Sequence, residues 1–199
     1  CLVSSVLVLP TEQTSSCFTC PCCAYTGLET PVPEEFVGDG IINLDQMPGV
    51  YAVGGPGVSD RGNDNSFNTV VDMIHSPGEW VNSPDGGPLE CTPESALYIT
   101  VDLGTPCLVS GVTIWHYYGN DRAYCAQKVA LSLTGNFNGE EYVAYDTGSD
   151  YGPPESPDGN VITFPPTVAQ FVRHWSAGST SNPYVHFLEI DVYGYVFDG

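Results

Sequence analysis

Positive charge is scarce in this 199-residue chain. It has four Lys and Arg residues against 24 Asp and Glu residues, which gives a formal net charge of -20 at pH 7. Proteins that bind DNA or RNA neutralise phosphate groups with Lys and Arg side chains. This sequence cannot supply that neutralisation, so we exclude nucleic acid as a partner.

Long apolar runs are absent as well. The longest candidate, residues 2–10, is interrupted by two serines. It falls short of the roughly 18–20 apolar residues that cross a bilayer. We therefore expect no membrane insertion.

The motifs of several enzyme classes are also missing. The sequence has no Gly-x-Ser-x-Gly, no His-Glu-x-x-His and no phosphate-binding loop. Glu140 and Glu141 are adjacent carboxylates, but neighbours on a strand point to opposite faces, so they could form a glycosidase pair only across a turn. We therefore predict that the chain is not an enzyme.

Turn-forming residues are abundant, with 22 Gly and 17 Pro spread along the chain. Short apolar runs alternate with them from Ile41 onward, and the run from Leu97 to Leu103 alternates apolar and polar residues, which is typical of a half-buried strand. About eight such strands with no amphipathic helix predict an all-β antiparallel β-sandwich over residues 38–199.

The eight cysteines fall into two groups. Five lie in the first 23 residues, and residues 1–37 have no apolar period, which predicts a Cys-rich N-terminal extension or linker. A zinc site and disulfides both fit CxxCPCC, but no second CxxC or His pair occurs at zinc-finger spacing, which favours disulfides. Disulfides and the near absence of Lys indicate a secreted, extracellular or cell-surface protein. If Cys107 pairs with Cys125, the bridge closes the loop between them and contributes on the order of 3 kcal/mol.

Scarce cations and aromatic rings crowd into residues 113–128, TIWHYYGNDRAYCAQK. Sugar recognition uses flat aromatic faces together with side chains that donate to or accept from hydroxyl groups. Arg122 is the main candidate anchor, because its planar donor fork spans two vicinal oxygens. The predicted ligand-binding residues are His116, Tyr117, Tyr118, Asn120, Asp121, Arg122 and Tyr124.

Structural roles remain open for several of these residues. His116 has the parity of Val112 and Ile114, so it also fits a buried side chain that caps the core. Asp121 and Arg122 also fit an exposed ion pair worth less than about 1 kcal/mol. His174 follows Arg173 on a predicted strand, and its opposite parity predicts a surface position.

Four segments resemble the discoidin and coagulation-factor C-type domains: LYITVDLGTPCLVSGVTIW, QKVALSLTG, FPPTVAQFVRHW and VHFLEIDVYG. These domains share the galactose-binding-like jelly roll with F-type lectins and family 32 carbohydrate-binding modules. The resemblance covers roughly residues 41–195 and implies non-catalytic ligand binding by loops at one end of the sandwich. F-type lectins hold fucose with a His and two basic residues, but the position 27 residues after His116 is Val143 where that motif has Arg. The resemblance therefore does not extend to fucose specificity.

The resemblance also implies a structural calcium ion. In lectin-like relatives such an ion joins the loop after the first strand to an acidic residue of the last strand. The implied ligands are Asp72 and Glu189, with backbone carbonyls near Ile74 and Ser76. Residues 59–72 have the Asp, Asn and Ser content that calcium loops use, although an acidic protein also has acidic loops without an ion.

The sequence thus predicts an extracellular carbohydrate-binding module that recognises glycans or glycoproteins through rim loops. The alternative is a structural or adhesive module of a larger extracellular fibre or cell-surface assembly, such as a homo-oligomer cross-linked through the Cys-rich extension. Binding to anionic phospholipids is disfavoured by the net charge of -20.

Overall fold

The computed structural model describes residues 40–60, 70–72, 81–82 and 89–196. The predicted extension over residues 1–37 lies outside these residues. So do Ile74 and Ser76, two of the implied calcium ligands. In the part of the chain that is described, no helix has the length and apolar character that crossing a membrane requires.

The described residues form an all-β, antiparallel fold, which confirms the predicted class. Val70 and Val71 lie in a short helical turn. The nine strands are β1 (Ile42–Asn43), β2 (Tyr51–Gly54), β3 (Ser59–Asp60), β4 (Val81–Asn82), β5 (Leu97–His116), β6 (Lys128–Ser132), β7 (Tyr142–Asp146), β8 (Asn160–Ser176) and β9 (His186–Val196).

Two long strands, β5 and β8, each contribute to both layers of the sandwich. Up to Asp102, β5 pairs with β2 and with the C-terminal half of β8. From Cys107 onward it pairs with β9 and with the N-terminal half of β8. The register shifts between these halves, where Gly104 has a φ of 74° and Pro106 follows. The strand predicted over the run from Leu97 to Leu103 is therefore the first part of one longer, bent strand.

One layer of the sandwich has the strand order β2-β5-β8-β6-β7. Its inner face contributes Ile99, Val101 and Leu103 of β5 to the core, all at most 1% exposed. On the other face of β5, Thr100 is also buried, because Arg173 Nε donates to its hydroxyl oxygen at 2.7 Å. The strand predicted to be half-buried is therefore covered on both faces.

A disulfide joins Cys91 to Cys125, so the pairing of Cys107 with Cys125 is wrong. Cys107 lies at the bend of β5, buried and opposite Ala169 of β8. Cys125 lies near the far end of β8, where its carbonyl accepts a hydrogen bond from Ala177. Eight residue steps along extended chain separate Ala169 from Ala177, a distance of about 26 Å.

The Cys91–Cys125 bridge predicts a measurable loss of stability when it is removed. It closes a loop with a sequence separation of 34, and chain-entropy reasoning gives about 4 kcal/mol for that length. We expect the Cys91→Ser/Cys125→Ser double variant to lose about 2–4 kcal/mol of unfolding free energy in urea. Peptic mapping of the non-reduced protein checks the pairing, and a peptide linking Cys107 to Cys125 would contradict it.

Candidate functional site

Residues 117–127, here called the rim loop, follow the end of β5, which pairs with β9 in one layer of the sandwich. They lead to β6, which pairs with β7 and β8 in the other layer. Asn120 and Asp121 adopt left-handed backbone conformations, with φ values of 67° and 48°. Asn and Asp tolerate this region better than most residues, because their short polar side chains bond locally. These two consecutive left-handed residues turn the chain sharply and leave both side chains exposed.

Four of the predicted binding residues present their side chains to solvent. Tyr117 and Tyr118 are half-buried, and Asn120 and Asp121 are exposed. The structure therefore brings two aromatic rings and two polar side chains to the surface within one turn of chain.

Arg122 occupies a different position from the one the sequence suggested. Its side chain is buried, with 6% exposure. Nε donates to the carbonyl oxygen of Gly119 at 2.9 Å, and the guanidinium carbon lies 4.6 Å from the centroid of the Tyr117 ring. Arg122 thus braces the rim loop from beneath, and the exposed ion pair considered for it is not formed.

Tyr124 is also buried beneath the rim loop. Its ring stacks on His116 with centroids 4.4 Å apart, and its hydroxyl lies 3.1 Å from Nδ1 of His186. Burial is the main cause that raises the pKa of Tyr124, and Arg122 partly offsets it. The phenol therefore stays protonated and acts as a packing and hydrogen-bonding group.

His116 lies in the core, as its parity with Val112 and Ile114 allowed. It has no exposed surface, and both ring nitrogens contact other side chains. Nδ1 lies 2.9 Å from Oε1 of Glu155, and Nε2 lies 3.0 Å from Nε2 of His174.

His174 is buried rather than exposed, which corrects the surface position predicted for it. Its parity relative to Arg173 was right, but Arg173 is the residue on the outer face, packed against aromatic rings. The inward face of β8 thus carries His174, whose Nδ1 lies 3.1 Å from the carbonyl oxygen of Lys128.

The donors of this buried network can be counted. A carbonyl oxygen only accepts, so Nδ1 of His174 carries a proton. Burial, followed by His116, holds the pKa of His174 well below its usual range, so its ring is neutral and Nε2 accepts. Nε2 of His116 therefore donates to His174.

The other ring nitrogen of His116 lies 2.9 Å from Oε1 of Glu155, so the imidazole is paired with a carboxyl group as well as with His174. A buried polar group costs less when it has such partners. Asn160 completes the network by donating to Oε2 of Glu155 at 3.0 Å.

A second polar cluster contains one of the implied calcium ligands. Glu189 lies with Asp45 and Asp191, and one ligand atom from each falls within 4.8 Å of the others. All three side chains are buried. Asp72 is exposed and outside this group, so its role as a ligand stays a prediction.

Asp45 joins the chain after β1 to the last strand. Its Oδ1 accepts from the backbone N–H of Val192 at 2.6 Å, and its Oδ2 accepts from Gln46 at 2.6 Å. Burial, followed by the neighbouring Asp191, raises the pKa of Asp45 well above its usual range. Asp45 and Asp191 were not predicted as ligands, because neither lies in the Asp- and Asn-rich segment over residues 59–72.

Comparison with known proteins gives a clear result for the fold. No family model matches the chain, and no curated protein matches it. Among solved structures, a family 89 glycoside hydrolase from Clostridium perfringens in complex with PUGNAc matches with a TM-score of 0.58 and 16% identity. The match covers 78% of this chain and 15% of that enzyme.

Two carbohydrate-binding modules from the same organism match over most of their own length. The family 32 module of NanJ, in complex with galactose, has a TM-score of 0.50 and 16% identity, covering 72% of this chain and 93% of the module. The module CpGH89CBM32-5, in complex with GalNAc-β-1,3-galactose, has a TM-score of 0.52 and 15% identity, covering 72% and 94%. The chain has the galactose-binding-like jelly-roll fold. This confirms the fold that the discoidin-like segments implied.

The half-buried His186 beside Tyr124 predicts a pH dependence of stability. Burial, followed by Arg122 and His116, lowers its pKa to about 4. In the unfolded chain a His has a pKa of about 6.5, so between these values the unfolded state binds more protons and stability falls as the pH falls. We expect His186→Asn to flatten this fall by up to about 1.4 kcal/mol per pH unit.

Urea unfolding of both proteins across this pH window checks the prediction. The raised pKa of Asp45 acts with the opposite sign, since a neutral buried carboxyl favours the folded state as the pH falls. That contribution is common to wild type and variant and cancels in the comparison. Parallel stability curves for the two proteins would contradict the assignment to His186.

Proposed function

We propose that this chain is a non-catalytic carbohydrate-binding module that recognises glycans or glycoproteins through the rim loop. The observation that carries the proposal is the group of solvent-facing side chains on this loop, the half-buried Tyr117 and Tyr118 and the exposed Asn120 and Asp121, held on a buried base. The fold is shared with modules solved in complex with galactose and with GalNAc-β-1,3-galactose, which supports the same class of ligand.

These four residues supply the two kinds of contact that sugars need. Tyrosine rings offer apolar faces to the C–H surface of a pyranose ring. The Asn120 amide both donates and accepts, and the Asp121 carboxylate accepts from hydroxyl groups. With a net charge of -20, the surface favours neutral over acidic sugars.

The base of the rim loop is held in one shape by covalent and hydrogen bonds. Cys125 is bridged to Cys91, and its backbone N–H donates to the carbonyl of Gly178 at 3.0 Å. The backbone N–H of Thr180 donates to Ala123 at 2.9 Å. A loop fixed before binding loses less conformational entropy when the ligand arrives.

The disulfide also supports the proposed location of the protein. Disulfides persist in oxidising compartments and are rare in the cytosol. We therefore propose that the protein is secreted or displayed at a cell surface.

Substitution of solvent-facing side chains of the rim loop provides the test. We expect Tyr118→Ala and Asp121→Asn each to reduce binding on a glycan array at least tenfold, because one removes an aromatic face and the other a charged acceptor. Asn at position 121 keeps the left-handed backbone accessible, so the fold is preserved.

The matched control is Tyr142→Ala, which removes an exposed tyrosine of β7 outside the rim loop. Its glycan profile should equal that of the wild type. A blank array for the folded wild-type protein would overturn the proposal. Polymers seen by particle imaging alongside that blank array would favour the structural or adhesive module instead.

We further propose that calcium binds at the cluster of Asp45, Glu189 and Asp191. Two oxygens that bind one calcium ion at 2.3–2.6 Å lie at most about 5 Å apart, and these ligand atoms satisfy that limit. Burial, followed by repulsion from Asp191, raises the pKa of Asp45, and a divalent cation would offset that repulsion. Such an ion would join the chain after β1 to β9 and stiffen both.

Calcium should therefore raise thermal stability. At a free concentration of about 100 Kd, binding to the folded state contributes about 2.7 kcal/mol, which raises Tm by about 5–10 °C. Asp191→Asn should abolish the shift, and Asp150→Asn, an exposed residue outside the cluster, should retain it. Equal melting temperatures in calcium and in EDTA would contradict the site.

A further inference from the structure

A cavity of about 260 Å³ lies on the outer face of the β2-β5-β8-β6-β7 layer. Trp175 of β8 and Lys128 of β6 are paired across these strands and line it. Phe137, Asp146, Ala96 and Ala126 contribute further parts of the wall. We call it the outer-face cavity.

Cations concentrate around this cavity. The described residues include three Lys and Arg side chains, and two of them, Lys128 and Arg173, lie here. Lys128 Nζ lies 4.8 Å from the centroid of the Trp175 ring. Two of the three described cationic side chains therefore lie against the same aromatic wall.

The aromatic wall is built around Arg173. Its guanidinium carbon lies 4.1 Å from the ring centroid of Tyr98, 3.9 Å from that of Phe137 and 5.4 Å from that of Trp175. The rings of Phe137 and Trp175 meet edge to face, with their centroids 5.5 Å apart. Such cation–π and aromatic contacts hold the rings in fixed orientations.

The hairpin loop between β6 and β7 carries Phe137 to this position. Phe137 has a φ of 49°, a left-handed conformation that is unusual for a bulky residue. Its backbone N–H donates to Oε1 of Glu140 at 3.2 Å, and Thr134 donates to the same oxygen at 3.1 Å. The carboxylate of Glu140 therefore stabilises the loop conformation that places Phe137 at the aromatic wall.

The cavity also has polar groups of both kinds. The exposed Asp146 accepts from the N–H of Gly148 at 2.7 Å through Oδ1, which fixes the carboxylate at the end of β7. Lys128 supplies an ammonium donor and lies 3.4 Å from Oε1 of Glu141. The nearby carboxylates balance the cations, so the cavity favours a neutral ligand over an anion.

We propose that the outer-face cavity is a second ligand site that takes one neutral pyranose unit. The apolar face of the sugar lies against Phe137 and Trp175, a pair of hydroxyl groups donates to Asp146, and another hydroxyl accepts from Lys128. A volume of about 260 Å³ is near the lower end of ligand clefts, which suits one sugar ring. The four side chains that contact the sugar here lie outside the rim loop, and only Ala126 at the end of that loop also lines the cavity. The second site therefore goes beyond the function proposed above.

The test follows the indole N–H signal of Trp175 in ¹H–¹⁵N spectra, assigned by its loss in Trp175→Phe. The probes are the methyl glycosides of galactose, glucose, mannose and N-acetylgalactosamine at millimolar concentration. We expect at least one of them to shift this signal to saturation. Asp146→Asn, which keeps the turn acceptor, and Lys128→Met, which keeps the aliphatic stem over the ring, should each weaken that binding at least tenfold.

The tests of the two proposed sites have separate outcomes. Tyr118→Ala should leave the Trp175 titration unchanged, and loss of the shift in that variant would show a single site and overturn this one. A Trp175 signal that none of the four glycosides moves would also overturn it, while rim-loop binding on the array would stand. A shift that persists in both Asp146→Asn and Lys128→Met would overturn the assigned contacts.

Discussion

The contact between the imidazoles of His116 and His174 is the interaction on which the architecture around the rim loop depends. It joins the end of β5 to β8, and through the carbonyl of Lys128 it reaches the first residue of β6. Glu155 adds the segment that precedes β8. Loss of any member would leave buried polar groups without partners, at about 1–3 kcal/mol each. The buried ring of Tyr124 beneath the rim loop therefore stacks on a member of a polar network rather than on apolar side chains alone.

Local patterns in the sequence predicted the strands but not the partners that join them. Period-two alternation located the core residues Ile99 and Val101, because burial on one face leaves a local signal. The parity of His116 allowed its buried position, yet nothing near it in sequence pointed to Glu155, which lies 39 residues away. The bridge from Cys125 to Cys91 was missed for the same reason: three body cysteines permit several pairings, and only the strand register separates them.

The candidate binding residues also divide into those whose position follows from local sequence and those whose position depends on distant contacts. Asn120 and Asp121 are exposed as expected, since turn chemistry is encoded locally. Arg122 was expected at the surface because its charge is rare in this chain, but the guanidinium lies over Tyr117 and bonds to the backbone. All three described Lys and Arg side chains lie against aromatic rings. In this protein scarce positive charge is used to pack aromatic rings, and charge counting alone could not distinguish that role from ligand binding.

Lys128 is the only lysine in the sequence. Its ammonium group lines the outer-face cavity and is partly accessible, with 28% of the side chain exposed. Reagents that acylate lysine side chains have this single target in the whole chain. Amine coupling through that side chain, whether to a sensor surface or to a dye, places the attachment at the cavity. Immobilisation through Lys128 would therefore obstruct the Trp175 wall and leave the solvent-facing side chains of the rim loop uncovered.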